Sequence, residues 1–115
     1  MKKVEFETIF NEQMRRCNEI LIEKARQYAD DTNRLHNFDT AAALRGVSRR
    51  EALAGMMAKH TVSIYDMCQS SEVFPSAVWE EKITDHMNYL ILLMAIVTED
   101  ARERARTEIE NSDKH

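Results

Sequence analysis

The chain has 115 residues, 31% of them charged, and a formal charge of −4, which bounds it to one domain with a real but modest core. So mild an acidity gives no support to a nucleic-acid-wrapping or membrane-surface role, and two glycines and one proline favour long helices over many-stranded sheets. Cys17 and Cys68 match no metal-ligand spacing and no disulfide framework, and MKKVEFETIF does not read as a secretory leader, so the expectation is a cytoplasmic protein with free thiols.

The first helix is expected from about Val4 to Ala29. Phe6, Phe10, Met14, Cys17, Leu21 and Tyr28 recur at three- and four-residue steps and form one apolar stripe. Lys24 falls within that stripe and can snorkel from it. Glu19 and Glu23, one turn apart, lie opposite the stripe. Solvent exposure is the plainer reading of that pair, and cation ligation the alternative. The segment DDTNRLHN, residues 30 to 37, is rich in turn formers and breaks the helix. A short second helix begins near Asp39 and stops at Gly46, placed as a C′ glycine.

Ser48 and Glu51 have capping-box spacing and start a third helix that reaches about Gln69. Its apolar positions are Leu53, Met56, Met57, Ile64 and Met67, with His60 on the same face. Gly55 would allow a close approach by another helix. SSEVFPS, residues 70 to 76, is the second break. A fourth helix starts at Pro75 or Ser76, with Trp79, Ile83, Met87, Leu90, Met94 and Val97 on one side as its core stripe. From Tyr89 to Val97 it is apolar around its whole circumference, which predicts burial all round, yet this run is about half the length that spans a bilayer. Past Thr98 it becomes EDARERARTEIEN, where Asp100, Arg104 and Glu108 form an exposed i, i+4 ladder. The reading is a single all-α domain over residues 1–115: a four-helix bundle-like core at about 4–98, and an exposed, charged helical extension and tail at 99–115. A helix over 76–110 would run roughly 50 Å, longer than a domain of this size is wide. Its end must therefore overhang, fray or pack on another chain.

Three sets of residues carry candidate chemistry. Glu81, Asp85 and Asn88 share one face of the fourth helix, opposite the apolar stripe, and Leu92 and Ala95 continue that face. A solvated face is the plain alternative, but a polar patch bordered by buried surface suits a cleft wall. Glu81 and Asp85 could share a hard cation such as Mg²⁺, which keeps several of its waters. On the third helix Lys59, Ser63 and Asp66 lie beside His60. A satisfied core histidine is the plain reading there, and a Lys/His pair meeting a phosphate or a base edge the functional one. Lys24 could add a second cation, and His86, next to Asp85, could be another wall residue. No Walker loop, dinucleotide fingerprint, nucleophile elbow or zinc motif is present in the sequence, so no catalytic residue is assigned.

EEKITDHMNYLILLMAIV resembles the third motif of the all-α nucleotide pyrophosphohydrolases of the MazG type, through Glu81, Asp85, Tyr89 and Leu90 to Leu93. Over residues 20 to 95 the chain also resembles small phage and prophage proteins of unknown function, through Lys24, Tyr28 and Ala29; Arg34, Leu35, Asn37 and Phe38; Lys59, His60 and Ser63; and Glu81, Lys82, Asp85, Asn88 and Tyr89. The resemblance implies a dimeric all-α bundle that holds Mg²⁺ and a nucleoside triphosphate between helices. On it, Glu81 and Asp85 would hold the metal, while Lys24, Lys59, His60 and Asn88 would contact the nucleotide. The pattern departs at its ligands: those of MazG-type proteins are three residues apart on each of two helices, whereas Glu19 and Glu23, like Glu81 and Asp85, are four apart, and Lys82 stands where a ligand is expected. The competing expectation is a non-catalytic helical dimer that acts as an interaction module.

Overall fold

The structure is a computed structural model that describes residues 1–24 and 33–113, with Lys24 described by its backbone only. It is all-helical, with no strand among the described residues. Helix α1 spans Lys3–Asn18 and passes into a π-helical segment, Glu19–Lys24. Helices α2, α3 and α4 span His36–Arg45, Arg49–Gln69 and Ser76–Asp113. The 38 residues of α4 run about 57 Å at about 1.5 Å per residue, and the molecule is 62 Å along its longest axis.

Local chemistry fixes each boundary. Gly46 sits at φ 66° and closes α2, with the N–H groups of Gly46 and Val47 both bonded to the Ala42 carbonyl, because a left-handed C-terminal residue is cheap only without a Cβ. Two residues later the Ser48 Oγ accepts the Glu51 N–H at 3.2 Å and opens α3. At the start of α4 the Pro75 carbonyl accepts the Val78 N–H. Phe74 and Trp79 flank that start edge-to-face at 6.1 Å, an N′-to-N4 hydrophobic staple that sets the entry angle. The close neighbour of Gly55 is the last side chain of α2: a Cβ there would lie 2.8 Å from the Arg45 guanidinium.

The core lies where α2, α3 and α4 meet. Leu35, Phe38, Leu53 and Ile96 are buried together, with Met56, Met57, Tyr89, Leu92 and Leu93 packed around them. Helix α1 docks on α4 through a polar hub. Gln13 donates to Thr84 Oγ1 at 2.9 Å and lies 3.6 Å from the Cys17 thiol, while Arg16 donates to Gln13 Oε1. Thr84 is buried and satisfied by this hub, as a hydroxyl in a core must be. A second polar clamp joins α2, α3 and α4: Arg49 reaches Glu99 at 2.6 Å, Asp100 at 2.7 Å and Asp39 at 3.4 Å.

Two expectations are corrected here. The face of α4 that meets its own domain is Thr84, Asn88, Leu92 and Ile96, not the Trp79–Val97 stripe; Leu90, Met94 and Val97 are exposed, Met94 to 64%. Where a helix is apolar all round, its periodicity selects no face. The Gln13–Thr84 and Arg49–Asp100 anchors select it instead. Likewise Phe6, Phe10 and Met14 of α1 are exposed, and only Cys17 of that stripe is buried, with Leu21 half-buried. Tyr28 and Ala29 lie outside the described residues.

Candidate functional site

Turning α4 in this way points Asp85 and Asn88 of its polar stripe inward and leaves Glu81 exposed. A cleft of about 400 Å³ opens between the π-helical segment, α3 and α4, lined by Ile20, Leu21, Arg34, His60, Asp85, Asn88, Tyr89 and Leu92. The π-helical turn presents Ile20 and Leu21 to one wall; single π turns inside helices frequently mark functional sites. Arg34 is held at the rim by its own structure, since its Nη2 donates to the Leu21 carbonyl at 2.7 Å. On the far wall His60 from α3 packs on Tyr89 from α4, ring centroids 5.1 Å apart. A second, more apolar groove of about 530 Å³ shares Leu21, Arg34 and Leu92 with the cleft and continues along Ile91, Met94 and Ala95.

Asn88 is the least satisfied group in the site. It is 6% exposed, and among the described residues neither its Oδ1 nor its Nδ2 has a hydrogen-bond partner; the buried His60 Nδ1 has none among them either. An unpaired buried polar group costs roughly 1–3 kcal/mol, and three such atoms beside one cleft are unusual for a domain of this size. The arrangement offers an amide donor and acceptor, an imidazole, a phenol ring, one carboxylate and one guanidinium, over an apolar floor.

The sequence-predicted residues divide as follows. His60, Asp85 and Asn88 come together in the cleft. Glu81 and Lys59 are exposed and are not among its lining residues. The side chain of Lys24 lies outside the described residues. Lys82 is half-buried and does not line the cleft either, and His86 instead joins α4 to α3 through Thr61 Oγ1 at 2.9 Å. Glu19 and Glu23 are exposed, with Glu19 paired to Arg15 at 3.2 Å. Among the described residues no three His, Cys, Asp or Glu side chains form a metal-ligand group. The cleft contributes one carboxylate, so a hard cation there would draw most of its oxygen ligands from a bound phosphate and water. Periodicity alone does not find Arg34, which sits in a polar turn, nor Ile20, which is off the α1 stripe until the π turn rotates it. No protein-family model, curated protein or solved structure matches the chain.

Proposed function

We propose that this cleft binds a nucleotide-like ligand, a planar polar ring joined to phosphate, and that the chain is a phage-type relative of the MazG-like pyrophosphohydrolases with a bundle-like helical core. The observation that carries the reading is the pair of unpaired amide atoms on Asn88, beside His60 and Asp85. An amide donor next to an amide acceptor matches the edge of a heterocyclic base, and the Tyr89, Leu92 and Leu21 surfaces suit its face. Arg34 at the rim supplies a planar cation for phosphate oxygens. Mg²⁺ would enter with the phosphate and be shared with Asp85, neutralising charge on the oxygens. The amide atoms lie under the cleft surface, so binding includes a small local opening that exposes them.

The test is thermal denaturation with a panel of nucleoside mono-, di- and triphosphates, with and without Mg²⁺. A ligand at one hundred times its dissociation constant stabilises by about 2.7 kcal/mol, a shift of several degrees for a chain this size. Asp85→Ala should abolish the Mg²⁺-dependent part, and release of pyrophosphate separates an active hydrolase from a relative that only binds. If no nucleotide at millimolar concentration moves the transition, the reading is lost and the helical-module reading takes its place.

A further inference from the structure

The groove beside the cleft has the opposite chemistry to the cleft itself. Its polar wall groups are already engaged. Asn33 donates from Nδ2 to Asp39 at 2.9 Å and accepts the Leu35 N–H at Oδ1. The Thr98 hydroxyl donates to the Met94 carbonyl at 2.7 Å, and Glu99 accepts from Arg49 at 2.6 Å. What the groove offers instead is apolar surface held in water: Ile22, Ile91 and Met94 are exposed along it, beside Leu21, Leu92 and Ala95. Its volume of about 530 Å³ is in the range that takes a small molecule. A wall group that already has its partner gains little from a ligand, whereas uncovered apolar surface gains in proportion to the area removed from water.

Groove and cleft meet at Leu21, Arg34 and Leu92, which line both. The bond from Arg34 to the Leu21 carbonyl at 2.7 Å fixes the guanidinium at that junction. Among the described residues it is the one hydrogen bond this side chain makes, out of five N–H donors. On α4 the two cavities share a face. Asn88, Leu92, Ala95, Glu99 and Arg102 follow steps of four, three, four and three residues, so the groove's stretch from Leu92 to Arg102 runs about 15 Å. We propose that the groove takes an apolar group esterified to the phosphate of the ligand in the cleft. The ligand class is then a nucleotide phosphodiester, with its base at Asn88, its phosphate at Arg34 and an alkyl or aryl chain along Ile91, Met94 and Ala95. This rests on the nucleotide reading of the cleft and adds the third part of the ligand. The junction sets the order of the parts. The shared guanidinium suits the anion, the unpaired amide on one side suits a polar ring, and the engaged, uncovered wall on the other suits an apolar group. A second polar ring in the groove would find Asn33, Thr98 and Glu99 already taken.

The experiment is titration calorimetry on the full chain with Mg²⁺, using the methyl, butyl and octyl phosphodiesters of each common nucleoside 5′-monophosphate, a series of constant charge. Affinity for the preferred base should rise about two- to fourfold for each added methylene, the upper value being full burial, with a heat-capacity change that grows more negative along the series. Ile91→Glu and Ala95→Phe, both at exposed positions of α4, should each bring the octyl ester down to the affinity of the methyl ester; either variant suffices if the other does not fold. Four results overturn the inference. A methyl ester that binds while the octyl ester binds no tighter leaves the cleft reading standing and removes the chain from the groove. An octyl ester equally tight on both variants places the chain elsewhere. Octyl phosphate without a nucleoside binding as tightly as the octyl ester makes the groove a site of its own. If no ester of any base binds, the cleft reading is lost and this inference with it.

Discussion

At the residue scale, Asn88 and Arg49 show two opposite treatments of buried polarity. Asn88 holds two unpaired amide atoms inside the domain, a cost that a well-packed apolar residue of similar size would not carry. Asn88→Leu is therefore expected to raise stability by about 1–2 kcal/mol and at the same time to remove any nucleotide-induced shift. Urea denaturation with and without ligand reads both, and a destabilised Leu variant would mean the amide has partners that matter. Arg49 is the converse. Its guanidinium is held further above its ordinary pKa, first by the hydrogen bond to Asp100 and then by that to Glu99, against the opposing effect of burial. It stays charged at every accessible pH. Arg49→Met would leave Glu99, Asp100 and Asp39 converging without a cation. Because those carboxylates are partly exposed, the loss is discounted to about 1–2 kcal/mol. It should shrink in molar salt, where screening length falls to about 3 Å.

At the element scale, most of the helices are legible in the sequence, and the reasons are local. Gly46, the Ser48–Glu51 spacing and Pro75 each act within one turn, so the α2 end and the starts of α3 and α4 fall where the residues put them. Gly46→Ala would add no clash, since nothing lies within 4 Å of a Cβ there. It would still force a Cβ into the left-handed region at a cost of about 1–2 kcal/mol, measurable as a lower urea midpoint. The orientation of α4 is not legible, because its central turns are apolar on every side. The deciding contacts join Gln13 to Thr84 and Arg49 to Asp100, 71 and 51 residues apart. The cleft was half legible for the same reason. His60, Asp85 and Asn88 lie on helices whose spacing can be read, whereas Arg34 and the π-helical turn at Glu19–Lys24 depend on how α1 ends.

At the scale of the whole molecule, one helix has two roles. The first half of α4 and its central turns supply the cleft and the core, while everything from Ala101 to Asp113 is exposed and projects along the 62 Å axis. An exposed, charged overhang contributes little to the stability of its own chain, since surface i, i+4 pairs are worth only a few tenths of a kcal/mol. Ending the chain after Arg102 separates the two roles. The core cluster of Leu35, Phe38, Leu53 and Ile96 loses no contact, so the unfolding free energy from urea denaturation should change by less than about 1 kcal/mol. The Trp79 emission, set by its edge-to-face contact with Phe74 at the far end of α4, should be the same in the full and the truncated chain. A truncated chain that unfolds readily would instead place the extension against its own domain, and the division of α4 into core and overhang would fail with it.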